Sequence, residues 1–214
     1  GHSGMIAVGH NSAMSAGHLR TAVIDWNTRN PETEIKAIEG DRSILLAGLD
    51  TGRIDFAVLP RQTNYADMSQ TPLWNEQMMV ALPIAHPLAG QQSVQWAALR
   101  DETFMFPAHD PGSEIRDIVM DRLATPDFYP EFHTQEASHA SILSMLGGAK
   151  HITITTEAAT GTQYPGIVYC ELHDTHGPLS ISNSGYWRTT NQSPILRHFL
   201  NFVRKRYALS FETD

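Results

Sequence analysis

The stretch Glu39-Gly-Asp-Arg-Ser-Ile-Leu-Leu-Ala-Gly-Leu-Asp-Thr-Gly-Arg-Ile-Asp-Phe-Ala-Val-Leu59 decides the fold. It joins the end of one strand, a short amphipathic helix and a second, wholly apolar strand. Leu45, Leu46 and Leu49 recur at helical spacing, so one face of the helix is oily. Gly52 sits where a helix stop requires positive φ, and residues 54–59 then read as a buried parallel strand. A compact parallel β-α-β unit leaves its loops at the carboxyl ends of the strands, where small ligands bind.

Outward from this unit, strand and helix alternate. Residues 6–9 form a short strand, and Asn11 or Ser12 can cap a helix that runs to Asn30 with Leu19, Val23 and Trp26 on one face. Residues 33–39, 42–51 and 54–59 follow as strand, helix and strand. Residues 77–83 form another apolar strand, and the pattern then restarts with strands at 103–106, 131–135 and 151–155 and helices at 113–123 and 138–146. Tyr164-Pro-Gly166 is a turn, 167–172 and 179–187 are extended, and 194–207 is a long helix. That helix sets Ile195, Leu196, Phe199, Phe202 and Val203 opposite Arg197, Lys205 and Arg206. The order predicts an α/β protein of two Rossmann-like lobes joined by two crossover strands. Residues 5–81 with 189–214 would form the first lobe and 82–186 the second.

Composition narrows the function. The chain has 214 residues, 41% of them hydrophobic, enough for a packed core. Its 15 basic and 23 acidic residues give a net charge of −8, which a phosphate backbone repels. The one basic run, Arg197 and Arg204-Lys-Arg206, is the solvated side of an amphipathic helix. Cys170 is the only cysteine, so no intrachain disulfide forms, and an oxidising compartment is not indicated. No apolar run approaches the ~18 residues of a membrane span. Gly1-His-Ser-Gly4 resembles a tag remnant, and Met5 an artificial start within a longer protein.

Two helix starts, Asn11-Ser12 and Asp110-Pro-Gly-Ser113, offer backbone N–H groups and short hydroxyl side chains that suit a small carboxylate. Ordinary N-capping is the alternative for each. His173-Asp-Thr-His176 places two imidazoles three apart without a third ligand nearby, and reads as a loop. His109, His139 and His151 fall near strand or helix ends, as ligand contacts, pH-sensitive groups or ordinary histidines. There is no Gly-x-Ser-x-Gly elbow, Gly147-Gly148 has no nucleotide-loop context, and Cys170 lies within an apolar strand pattern. Neither a catalytic constellation nor a metal or cofactor is expected.

Met5-Ile-Ala-Val-Gly, Asn30-Pro-Glu-Thr-Glu-Ile, Glu39-Gly with Leu49-Asp-Thr-Gly-Arg-Ile-Asp-Phe-Ala-Val, Leu73-Trp-Asn-Glu76 with Val80-Ala-Leu-Pro83, and His86-Pro-Leu-Ala89 occur in order along the chain. Together they resemble the effector-binding domain of LysR-type transcriptional regulators, from Met5 onward. One segment departs from that pattern: the family's frequent Gly-x-Gly-Ile is here Ala149-Lys-His-Ile152.

The resemblance implies a two-lobed fold like that of type 2 periplasmic binding proteins. It implies an interlobe cleft lined, by position, by Asn11, Ser12, Asp41, Arg61, His109, Ser113, Ser138 and Thr155. It implies a bacterial cytoplasmic parent that binds DNA through an N-terminal domain absent from this chain and assembles as a homodimer or homotetramer. The domain would sense a small, anionic metabolite and would not be an enzyme. A solute-binding protein of a transporter shares the architecture and is the alternative, to be separated by the natural upstream sequence. An enzyme on the same scaffold would need an acid/base pair within the cleft.

Overall fold

The computed structural model describes residues 4–62, 65–109, 111–148 and 150–207, with the backbone alone for Ser113. The elements in chain order are β1 (Gly4–His10), α1 (Gly17–Arg29), β2 (Thr33–Glu39), α2 (Arg42–Asp50), β3 (Phe56–Pro60) and β4 (Met68–Pro83). There follow β5 (Ser93–Gln95), β6 (Thr103–Pro107), α3 (Gly112–Leu123), β7 (Glu131–Gln135), α4 (His139–Met145), β8 (Thr153–Thr156), β9 (Ile167–Asp174), β10 (Gly177–Pro178), β11 (Ser180–Arg188) and α5 (Pro194–Tyr207). The chain divides into two compact units, residues 1–76 with 181–214 and residues 77–180. β4 contributes its first half to one and its second half to the other.

In the first unit β1 is flanked by β2 and β3, both parallel to it, and β11 runs antiparallel to β3. The opening stretch folds as expected. Leu45, Leu49, Ile54, Ala57 and Leu59 are buried together with Tyr186, and Gly52 ends the helix region at φ 73°. A second cluster lies around Trp26, whose ring meets Phe199 at 5.0 Å and Phe202 at 5.4 Å between centroids. Phe56 and Trp187 stack beside it at 6.3 Å. The amphipathic pattern of α5 supplies Leu196, Phe199, Leu200 and Val203 to this core, and its solvated side holds Arg206 in an ion pair with Asp25 of α1.

Two elements differ most from the sequence expectation, while β3 and β8 each start two residues later than expected. α1 begins at Gly17, not at Asn11 or Ser12. Gly17 has φ 76°, and Ala16 before it is extended with no capping side chain. Residues 11–16 therefore stay a loop, held near its start by the His10 Nδ1–H that donates to the Ser12 carbonyl at 2.8 Å. β4 starts at Met68, well before the expected residue 77. Its first half buries Leu73, Trp74 and Glu76. The Glu76 carboxylate accepts from Trp74 Nε1–H at 3.3 Å and from Asn183 Nδ2–H at 3.1 Å, which ties β4 to β11.

The second unit places β9 antiparallel to β4, with β8 also paired to β4 and β5 to β9. β6 and β7 pair in parallel, and Ile152 bridges to Phe104 on the other side of β6. Phe104 and Phe106 are buried and stack at 6.1 Å, with Phe132 tilted against both. The His86-Pro-Leu segment is a turn locked by its imidazole. Nδ1 accepts the Leu88 N–H at 3.2 Å, so the proton sits on Nε2, which faces the Glu102 carboxylate at 3.1 Å. No helix among the described residues is long and apolar enough to cross a membrane.

Gly185 on β11 gives a direct check of the first core. A Cβ there would stand 2.0 Å from Cζ of the buried Phe56 ring. Gly185→Ala should lower the unfolding free energy by about 1–3 kcal/mol, the usual cost of overpacking. Urea unfolding followed by tryptophan fluorescence reads the change; an unaltered midpoint would contradict this packing.

Candidate functional site

Parallel pairing fixes the site-bearing edge of the first unit. His10 pairs with Glu39 on one side and Val58 on the other, so β1, β2 and β3 end together. Asn11 and Ser12 follow β1, Asp41 follows β2, and Arg61 follows β3. The structure thus brings these four expected residues to one edge.

Their states differ. Asn11 is 5% exposed, and its Nδ2 has no hydrogen-bond partner. A buried donor left without an acceptor costs about 1–3 kcal/mol, which a ligand oxygen would recover. Ser12 is half-buried and engages His10 through its backbone carbonyl. Asp41 occupies the N-cap position of α2, where its carbonyl accepts the Leu45 N–H at 3.0 Å while its side chain forms no cap. Arg61 is exposed and anchored through its backbone N–H to the Ser182 carbonyl at 2.7 Å.

The cation that the fold fixes at this edge is Arg42, which sequence reasoning missed. Its guanidinium donates to Tyr65 Oη at 2.8 Å and to the Pro60 carbonyl at 3.0 Å. Tyr65 in turn donates to Gln62 Oε1 at 3.1 Å. The available signal was an arginine in the first turn of a helix, at the positive end of its dipole. That position is unfavourable for a cation unless acceptors elsewhere hold it.

In the second unit β6 and β7 also end together, with Pro107 beside Gln135. His109 lies beyond β6, and its Nε2 is 3.3 Å from the Glu136 carboxylate. Both side chains are exposed, a setting in which an ion pair is worth little. Ser138 caps α4, accepting the Ser141 N–H at 3.2 Å. α3 starts at Gly112, while Asp110 and the Ser113 side chain lie outside the described residues.

Thr155 is buried, and its Oγ1 lies 2.9 Å from His139 Nε2. The other nitrogen of His139, Nδ1, is buried without a partner. Burial pulls the His139 pKa down to about 4, so this imidazole is neutral at physiological pH. The structure therefore couples two residues that the sequence presented separately, Thr155 and His139.

Other weighed groups sit elsewhere. His173 pairs with Glu171 at 2.9 Å, and His176 lies 3.7 Å from Asp174, both around the β9–β10 turn. Cys170 is buried, and burial pushes its thiol pKa up, the opposite of activation. Among the described residues no group of three or more His, Cys, Asp or Glu is placed to hold a metal ion.

Residues 1–208 match the family model of the LysR substrate binding domain. The transcriptional dual regulator GltC of Bacillus subtilis is 25% identical over 166 residues, 77% of this chain and 54% of GltC. The chain spans about half the length of the relatives it matches. The fold is similar to that of CbnR, a LysR family transcriptional regulator, with a TM-score of 0.80 at 17% identity over 95% of this chain and 70% of CbnR. It is also similar to the BenM effector binding domain solved with its effector benzoate, with a TM-score of 0.77 at 19% identity over 99% and 95% of the two chains. The family match runs through every described element, with two parallel-stranded edges supplying the loops. The chain belongs to the LysR family, as its substrate binding domain.

Proposed function

We propose that this chain senses a small, anionic metabolite for a bacterial LysR-type transcription factor that acts on DNA in the cytoplasm through a domain outside this sequence. One observation carries the choice of ligand: the buried, unpartnered Nδ2 of Asn11 at the strand-end edge of the first unit. A carboxylate or similar oxygen supplies the acceptor that this donor lacks. Ser12 beside it, with Asp41 and Arg61 on the same edge, would shape the contact, and the second unit would contribute His109 after β6, Ser113 at the start of α3, Ser138 at the cap of α4 and Thr155 on β8. The family match favours a regulator over a transport solute-binding protein. Regulation then requires that the effector bind one arrangement of the protein more tightly than another.

A thermal-shift and calorimetric screen of small carboxylates tests this, with benzoate, the effector of BenM, in the panel. For a carboxylate that binds, Asn11→Ala and Ser12→Ala should each weaken affinity by ~0.5–1.5 kcal/mol, or roughly 2–12-fold. Unchanged affinity in both variants would place the ligand elsewhere.

The neutral imidazole of His139 makes a separate, pH-dependent forecast. Its folded pKa of about 4 lies below the ordinary 6.5, so between these values the unfolded chain binds the proton that the folded one refuses. Its contribution therefore destabilises the fold as pH falls from about 6.5 to 4 and is flat below. The full effect is of order 3 kcal/mol. His139→Gln should flatten this part of the stability profile in urea titrations at pH 7, 5.5 and 4.5. An identical profile in the variant would rule His139 out as the cause.

Self-association follows from the same family reading. α1 exposes Ile24 at 47%, and α3 leaves Ile118 and Met120 only half-buried. Two copies related by a twofold axis would bury both helices twice. Sedimentation at tens of micromolar should give a dimer or tetramer; a lone 23.8 kDa species would sink this expectation.

A further inference from the structure

His133 and His151 stand outside the residues assigned to the effector. His133 lies on β7, where it pairs with Met105 of β6. His151 precedes Ile152, which bridges to Phe104 on the opposite side of β6. Two ladder bonds, from Met105 N–H to the Ile152 carbonyl at 2.8 Å and from Ile152 N–H to the Thr103 carbonyl at 3.1 Å, hold that register. The rings are perpendicular, with centroids 4.9 Å apart, and His133 Nδ1 is 3.3 Å from His151 Nε2. Gln135 Nε2 lies 2.9 Å from the far nitrogen of His133, and His151 Nδ1 is buried without a partner.

We propose that His133 and His151 are a two-histidine chelate for a divalent transition ion of the zinc and copper class. A tetrahedral ion bound at about 2.05 Å spaces two imidazole nitrogens about 3.3 Å apart, the separation found here. Imidazole is a ligand type that these ions favour. As a hydrogen-bonded pair, Gln135 donates to His133 Nε2, His133 Nδ1–H donates to His151 Nε2, and His151 is left with a buried Nδ1–H. His151 therefore already presents a lone pair on Nε2. Chelation asks only that His133 move its proton from Nδ1 to Nε2, where Gln135 turns its amide to accept with Oε1. No net proton is released.

His133 is fixed by strand pairing and His151 by the bridge of the adjacent Ile152 to Phe104, so little ordering is required on binding. His133 is exposed and His151 half-buried, which leaves one side open for water to complete the coordination. With no third His, Cys, Asp or Glu in place among the described residues, the ion is exchangeable. Glu131, on the same face of β7 and held by Thr103 Oγ1 at 3.2 Å, adds a negative field nearby. His151 is one of the two positions, with Ala149, at which the chain departs from the family's glycine pattern.

The test titrates Zn2+ by calorimetry and Cu2+ by electron paramagnetic resonance, against the intact chain at neutral pH. One equivalent of each ion should bind, and the copper spectrum should show coupling to two nitrogens. His133→Ala and His151→Asn should each weaken binding by about tenfold or more and reduce the coupling to one nitrogen. His173→Ala, at the other histidine pair, should leave both readouts unchanged. Circular dichroism separates loss of binding from loss of fold. A one-nitrogen spectrum in the parent chain, affinity unchanged in both folded ligand variants, or no binding up to about 1 mM would overturn the chelate, since the ion would then lack the two-imidazole grip.

Discussion

The first unit depends on a carboxylate that stands in for the backbone. β1 must pair on both sides to lie in the middle of parallel strands, yet β3 begins only at Phe56. One residue earlier, Asp55 continues the ladder with both of its parts. Its N–H donates to the Ala7 carbonyl at 2.9 Å, and its Oδ2 accepts the Ala7 N–H at 2.9 Å. The second carboxylate oxygen receives Asn191 Nδ2–H at 3.3 Å, at the approach to α5. A single side chain thus ties the middle strand, the strand beside it and the entry to the last helix. Without it, buried backbone of β1 would lose its partner, at the cost that attends any orphaned amide.

This explains why the segment Ile54-Asp-Phe-Ala-Val58 has so narrow a chemistry. Ile54 packs under α2, Phe56 enters the aromatic core with Trp187 and Phe199, and Ala57 leaves room for the Leu45 and Tyr186 side. Asp55 between them cannot be apolar. Once the three strands are aligned, their carboxyl ends must coincide, and the loops beyond them share one edge. In parallel α/β sheets such an edge is where small ligands commonly bind, which is the ground for the site proposed above. The hydrogen-bonding state of each loop residue then separates anchors from bystanders. Asn11 is buried with an open donor, whereas the Ser138 hydroxyl is already engaged as a cap.

Much of this was legible in the sequence where one physical signal was strong. β2, β7 and α5 have the bounds that alternation and the amphipathic stripe indicated. Gly52 takes the positive φ its position required. Where two signals competed, the local one misled. Asn11 and Ser12 are good capping residues, but burial of the Asn11 amide and the left-handed Gly17 postpone α1 by a full loop. The first half of β4 mixes polar residues with Pro72, and its strand character comes from partners far away in sequence, notably Asn183. Arg42 and the His139–Thr155 pair were unreadable for the same reason, since their partners lie 16 or more residues distant.

The anionic effector proposed above and a chain of net charge −8 look ill matched, and the resolution lies in how the candidate groups present themselves. Exposed carboxylates farther than about 8–10 Å are largely screened at physiological salt. What acts at contact distance is the local donor set. The open donor at the first edge, Asn11 Nδ2, is neutral, and the arginine fixed there, Arg42, already spends hydrogen bonds on Tyr65 and Pro60. In the second unit His139, half-buried with its Nδ1 enclosed, is neutral as well. Binding through oriented neutral donors avoids the desolvation cost of a buried cation. It makes affinity depend on where the ligand's acceptors lie more than on how much charge it carries. Under the proposed reading a metabolite would be recognised by the spacing of its oxygens, which suits a sensor that must reject the many other small anions of a cell.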